Sequence, residues 1–384
     1  MTSQQQPATA SAAAAAASAA AVSTPPLPAW AASPPPPPPT AEAMEAASTP
    51  VPGMRGWRYV GPPLEAGPLP AVVYFGLGAA ETLGGAPFDA FPRALVPYPA
   101  PCAGGVAVHA VGPTAGVGGD DTGAELVAAG GLRVFSVTLP AHGTTAQNIT
   151  ALDNWAAAYA RGTPVVGGFV ARVAANLATL TEEGVITPGR LVAAGVSRGG
   201  LVASLLGATP GVAAVVAFAP VTWLGDLPAF RGDAPAGGSP PRPSPAVAPG
   251  ASAAGATAAA AAATASATTA TAAAAPASLP AVAADAVAGN VAAIGALATK
   301  PVRYYMGNRD VLVRTRGAFE VVEALADAAH AAGVRSPPAE LICYCSIGKD
   351  GHGTPVDILH DGAAWVRSTL QLGARRGGRD APSV

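Results

Sequence analysis

Short, mostly apolar runs alternate along this chain with stretches whose apolar residues recur every three or four positions. Pro70–Phe75, Leu132–Thr138, Gly189–Gly195, Val212–Phe218, Pro301–Met306 and Ala339–Cys345 are runs of the first kind. Pro70–Phe75, continuous and bounded by Pro and Gly, predicts a buried parallel strand, and the other runs predict further strands. Between them, Phe169, Val173, Leu177 and Leu180 recur at helical spacing and predict a helix over about Val165–Glu183. Further helices are expected at about Asp120–Ala129, Thr150–Ala160, Val282–Ala298, Gly317–Ala332 and Pro355–Leu372, with one of small residues following Gly195. Strands alternating with helices predict an α/β fold, a mostly parallel sheet covered on both faces.

The pattern lapses in long stretches. Residues 1–55 are Ala-, Ser- and Pro-rich and include the run Pro34–Pro39, too little apolar volume to offset the entropy of ordering, so a disordered tail is expected. Residues 228–280 are Pro, Gly, Ser, Thr and Ala with almost no large apolar side chain, and read as a low-complexity insertion. Gly104–Gly119 reads as a glycine-rich surface loop, and residues 374–384 as a flexible end. One domain over about 56–373 carries the folding signals.

Composition then narrows the classes. The 50% hydrophobic content is inflated by alanine, and no run is apolar enough to span a membrane. A net charge of −2 and no stripe of Lys or Arg argue against nucleic acid as a partner. Cys102, Cys343 and Cys345 build no disulfide framework, and the last two, sharing one strand face, are expected to be small buried side chains in a reducing compartment. A cytoplasmic location fits, and the acid-poor beginning leaves a plastid or mitochondrial address open. Oligomeric state is not legible.

The candidate chemistry centres on Gly195-Val-Ser-Arg-Gly199, a strand–turn–helix with the G-x-S-x-G pattern. A serine hydroxyl becomes a useful nucleophile when a tight turn holds it out beside a base and backbone N–H donors. Of five histidines, His352 stands between glycines directly after the last strand, where the backbone can aim an imidazole along the carboxyl edge. His142 sits in a Leu-Pro-x-His-Gly turn before the serine, expected to shape the loop beside the site. His330 and His360 lie on helices, and His109 lies beside the glycine-rich loop. Asp310 follows a strand and lies between serine and histidine in the order of such triads, with Asp226 as the second choice and Asp361 expected on a helix surface. Backbone N–H groups of Arg198 and of Leu77, in the Gly76–Leu83 turn, are the expected oxyanion donors.

These residues resemble the α/β-hydrolase superfamily, near its dienelactone-hydrolase and prolyl-oligopeptidase-like branches. There a Gly-x-x-Asp-x-x-Val motif carries the acid, matched here by Gly307-Asn-Arg-Asp-Val-Leu-Val313. Val73–Leu83, Arg133–Gly143 and Gly348–Pro355 also resemble a subgroup of hydrolases of this type. The resemblance covers about Gly56–Leu372 outside the two low-complexity stretches. It implies the α/β-hydrolase fold with about eight strands, serine hydrolysis, and no cofactor or metal. Phe75 departs from the histidine that many esterases place before the oxyanion glycine.

The expected activity is hydrolysis of small carboxylic esters or thioesters through Ser197. A prolyl-oligopeptidase-like peptidase is the alternative, though no propeller repeat is present. A catalytically silent fold that binds a ligand is the other. The insertion lies in the lid position of the fold and cannot build a packed cap, so the site is expected to be open. Glu81 and Arg198 are expected either to pair across the site or to meet a charged substrate end, and Trp223 to wall the acyl pocket.

Overall fold

Leu69–Phe75 (β3) is buried at every residue, because both of its faces are covered. Ala71, Val73 and Phe75 enter one apolar core, while Val72 and Tyr74 enter a second on the other side of the sheet. The neighbouring Ile186–Val196 (β5) does the same with Leu191 and Ala193 against Val192 and Ala194. The computed structural model of the chain describes residues 40–96, 131–143, 145–230, 285–335 and 338–377. The Gly104–Gly119 loop, the Asp120–Ala129 helix, His109, Cys102 and most of both low-complexity segments lie outside them.

Among the described residues the strands form one eight-stranded sheet. Thr49–Pro50 (β1) and Trp57–Val60 (β2) are antiparallel, and β2 is antiparallel to Arg133–Val137 (β4). From β4 onward every pairing is parallel, through β3, β5, Val212–Phe218 (β6), Val302–Gly307 (β7) and Ala339–Tyr344 (β8). The order β1-β2-β4-β3-β5-β6-β7-β8 is that of the α/β-hydrolase fold. The chain leaves β3 toward β4 and then returns to β5 on its other side, so the direction of winding reverses there. Crevices at such reversals, at the carboxyl ends of the strands, are where α/β sheets place their sites.

Helices in chain order are Ala41–Ala46 (α1), Ala79–Gly84 (α2), Ala90–Leu95 (α3), Thr145–Ala160 (α4), Val166–Glu182 (α5), Arg198–Gly207 (α6), Val291–Leu297 (α7), Thr315–Ala331 (α8) and Val356–Gly377 (α9). The first core holds residues of α4, α5, α6, α7 and α8, and the second those of α2, α3 and α9.

The structure departs from the sequence reading in four places. Order begins by Thr40 and not near Gly56, for Thr40 caps α1 through its Oγ1 at 3.2 Å from the Ala43 N–H, and β1 pairs with β2. The Gly76–Leu83 turn becomes helical at Ala79. The helix expected over Val282–Ala298 is shortened to α7, whose Asn290 cap accepts from Ala293 N–H at 3.0 Å. Cys343 and Cys345 are exposed, not buried, because β8 is the last strand of the sheet among the described residues.

Phe230 and Asp285, the described residues on either side of 231–284, both meet Tyr159. Phe230 packs on the Tyr159 ring with centroids 5.6 Å apart. Asp285 accepts from the same Tyr159 hydroxyl and caps α5, its oxygens meeting Val166 N–H at 3.1 Å and Gly167 N–H at 2.8 Å. Both flanking residues are therefore anchored on Tyr159. Deleting about 235–276 is expected to leave the melting temperature unchanged or slightly raised, since a shorter loop lowers closure entropy by only about 1 kcal/mol. A fall of several degrees in calorimetry would mean that the segment packs on the domain.

Candidate active site

The strand β5 ends at Val196 and α6 begins at Arg198, leaving Ser197 alone to turn the chain. Its φ of 54° and ψ of −114° lie where a non-glycine side chain is strained. Three bonds hold it there. Ser197 N–H donates to Phe218 O on β6 at 2.8 Å, and Ser197 O accepts from Leu201 and Val221 N–H. Only glycines fit around it: a Cβ on Gly195 would lie 2.1 Å from Gly199 O, and one on Gly199 would lie 2.0 Å from Phe75 O. Helix α6 thus passes against both its own strand and β3, presenting the Ser197 hydroxyl at the sheet's carboxyl edge.

His352 follows β8 and Asp310 follows β7, and the two loops are bound together. Arg309 N–H donates to Ser346 Oγ at 2.6 Å, Ser346 N–H to Asn308 Oδ1 at 3.1 Å, and Val311 N–H to Asp350 O at 3.0 Å. His352 Nδ1 lies 2.8 Å from Asp310 Oδ2, and its Nε2 lies 2.8 Å from Ser197 Oγ. A carboxylate only accepts, so Nδ1 carries the proton and Nε2 is left to accept from the serine hydroxyl. The other oxygen, Asp310 Oδ1, accepts from Leu312 and Val313 N–H at 3.0 Å each. Asp310 is 4% exposed and fully engaged.

The structure therefore brings Ser197, His352 and Asp310 into one line of hydrogen bonds, and leaves the other candidates apart. Asp226 faces Arg314 at 3.3 Å. Asp361 accepts from Tyr305 at 2.6 Å on the half-exposed face of α9. His330 and His360 are exposed on α8 and α9.

Of the expected oxyanion donors, Arg198 N–H stands at the first position of α6, where a helix offers no partner one turn back. Leu77 N–H does not stand free. It donates to Thr82 Oγ1 at 2.9 Å, and that hydroxyl donates on to Gly78 O at 2.8 Å. Thr82 comes within reach because α2 starts at Ala79 and carries it back over the turn.

Two other readings are corrected. Trp223 is 4% exposed within the first core and does not line the pocket beside the serine. Glu81 does not pair with Arg198: its Oε2 accepts from Asn148 Nδ2 at 2.8 Å. Glu81 lines instead a separate hollow of about 540 Å³ beside α1 and β2, which none of the three aligned residues reaches. The pocket at Ser197 is about 270 Å³, walled by Pro87, Phe88, Val196 and Leu359, with Arg198 at its edge.

His142 is buried, its ring set edge-on to Trp155 with centroids 6.1 Å apart. Nδ1 lies 2.7 Å from Pro140 O, a carbonyl that also accepts from Trp155 Nε1 at 2.8 Å. Burial, aided by the charge of Arg198, lowers its pKa from 6.5 to about 4. A histidine depressed in the fold takes up its proton more readily when unfolded, so stability falls as pH drops from about 6.5 to about 4. The slope contributed is up to ~1.4 kcal/mol per pH unit. His142→Gln is expected to flatten this part of the pH–stability curve in urea titrations; an unchanged slope would place the acid sensitivity elsewhere.

No family model matches the chain, and no curated protein matches it in sequence. Solved structures similar to it include a sugar hydrolase from Lactococcus lactis, with TM-score 0.41 and 11% identity over 86% of this chain and 99% of that one. TT1662 from Thermus thermophilus is similar with TM-score 0.44 and 14% identity, over 82% of this chain and 93% of that one. A puromycin-hydrolyzing peptidase of Mycobacterium tuberculosis gives 0.43 and 15%, over 85% of this chain and 39% of the peptidase, so the chain spans well under half its length. No helix among the described residues is long and apolar enough to cross a membrane.

Proposed function

We propose that the protein is a serine hydrolase that opens carboxylic esters or thioesters through an acyl-enzyme on Ser197. The observation that carries this is the unbroken line from Ser197 Oγ through His352 to Asp310, 2.8 Å at each step. In the first half-reaction Ser197 Oγ attacks the carbonyl carbon while His352 Nε2 takes its proton. Asp310 keeps the imidazole in the productive tautomer and stabilises the imidazolium. As the carbon–heteroatom bond breaks, the same proton passes to the departing alcohol or thiol. Water then attacks the acyl-enzyme with His352 again as base, the acid is released and the serine is restored.

The negative charge on the carbonyl oxygen falls to Arg198 N–H at the start of α6. Leu77 N–H joins it once the bond to Thr82 gives way to the developing oxyanion, which is the stronger acceptor. A Cβ at position 76 would lie 2.9 Å from Thr82 Oγ1, so glycine leaves room for that hydroxyl in the turn.

A fluorophosphonate probe tests the reading. Labelling of the native chain that disappears in Ser197→Ala supports it, and a folded chain that never labels points to a binding protein. A panel of p-nitrophenyl esters, thioesters and aminoacyl anilides then separates ester from amide chemistry; turnover of the anilides alone would favour a peptidase.

A further inference from the structure

The pocket at Ser197 holds a cation for which the described residues supply no counter-ion. Among the residues lining it, only Arg198 carries a permanent charge; the remainder are apolar, glycine or neutral polar groups and His352. Among the described residues no carboxylate forms an ion pair with Arg198, and no hydrogen bond reaches its guanidinium. Its Nη1 is fully buried without a partner.

The carboxylates of the described site loops have other partners. Glu81 accepts from Asn148, Asp310 holds His352 and two backbone N–H groups, and Asp226 faces Arg314. Burial lowers the Arg198 pKa, with no carboxylate acting to raise it again. Even so lowered, a guanidinium keeps its charge at neutral pH. A part-buried charge with no counter-ion among the described residues has given up part of its hydration without an ion pair to offset the loss. His142 is no substitute acceptor of charge: it is neutral, and its free Nε2 is also buried without a partner.

From this we infer that the substrate brings the missing anion: an ester or thioester carrying a carboxylate a few atoms from the scissile carbonyl, bound by the Arg198 side chain. This rests on Ser197 being the nucleophile and goes beyond it by naming the substrate's charge. The residue after the nucleophile then works twice, its N–H at the carbonyl oxygen and its side chain at the far anion. The apolar walls of Pro87, Phe88, Val196 and Leu359 suit the short hydrocarbon spacer between the two. A guanidinium receives a carboxylate through paired N–H···O bonds, which adds orientation to attraction.

Matched esters test it. p-Nitrophenyl hydrogen succinate is set against p-nitrophenyl butyrate, placing a carboxylate on the acyl side. 4-Acetoxybenzoate is set against its methyl ester, placing one on the departing side. At least one carboxylate ester is expected to exceed its neutral partner in kcat/KM by about ten- to a hundred-fold, the worth of a hydrogen bond to a charged group. Arg198→Gln is expected to collapse that ratio, whatever its effect on the neutral ester, and Arg198→Lys to keep part of it. If Arg198→Gln does not fold, the native chain decides: added salt should lower the ratio through screening, and a ratio indifferent to salt overturns the inference. So does a native chain that turns over both carboxylate esters more slowly than their partners. Neutral esters hydrolysed only when Ser197 is present, with no carboxylate preference, remove the anion site and leave the serine hydrolase standing. Absence of both labelling and turnover removes the hydrolase reading, and this inference with it.

Discussion

Ser197→Ala and His352→Ala are each expected to lower kcat/KM by about ten-thousand- to a million-fold, with melting temperatures close to that of the native chain. The double variant should be little worse than either alone, because serine and imidazole form one proton-transfer unit and removing either disables it. Both side chains are part-exposed at the carboxyl edge of the sheet, so truncating them opens no core cavity. Asp310 is different. Its Oδ1 also receives Leu312 and Val313 N–H, so Asp310→Ala would disturb the loop as well as the imidazole. Asp310→Asn is the cleaner variant, acting through the tautomer. Initial rates on a p-nitrophenyl ester, with circular dichroism as the check on folding, give the measurement. Multiplicative losses in the double variant, or a Ser197→Ala chain keeping a tenth of the rate, would contradict the proton-transfer unit.

Arg133→Met is expected to cost about 3–5 kcal/mol of unfolding free energy without touching the site. Arg133 lies on β4 and is 0% exposed, an unusual place for a guanidinium. It is tolerated because every face of the group meets a backbone carbonyl. Nε donates to Pro62 O at 3.0 Å, Nη1 to Gly67 O at 2.9 Å and Val185 O at 2.6 Å, and Nη2 to Pro63 O and to Leu64 O at 3.2 Å. One side chain therefore satisfies the turn entering β3 and the residue before β5. Methionine fills similar volume but strands those acceptors away from water. Lysine, with one nitrogen in place of a planar fork, should recover only part of the loss. Urea unfolding at neutral pH checks this, and a loss below about 1 kcal/mol would show that water replaces the guanidinium readily.

How far the sequence spoke for itself depended on whether the information was local. The strand–serine–helix at Ser197 was legible because one segment contains the run, the glycines and the small-residue helix. His352 and Asp310 were legible because each follows a strand directly, and a parallel sheet carries strand ends to one edge. The bond from Leu77 to Thr82 was not, since it depends on α2 starting at Ala79, a boundary that Gly76-Leu-Gly-Ala-Ala does not mark. Trp223 looked like a pocket wall because nothing local distinguishes a core tryptophan from a lining one. The exposure of Cys343 and Cys345 follows from the lateral order of strands, which no single run encodes. Arg133 is the same case at longer range: its acceptors lie in two other segments of the chain. The early start of the domain was missed because a six-residue helix and a two-residue strand are too short for any period to show.

The position of β8 has one more consequence. The proposed nucleophile Ser197 hangs from β5, deep in the sheet, whereas the proposed base His352 follows β8, the last strand, and Asp310 follows the strand next to it. Edge strands open more readily than central ones. On warming, the rim would fray first, leaving a serine still seated at its turn but deprived of the imidazole that activates it. Loss of the proposed turnover would then run ahead of global melting, and its heat tolerance would be that of the sheet's margin and not of its core.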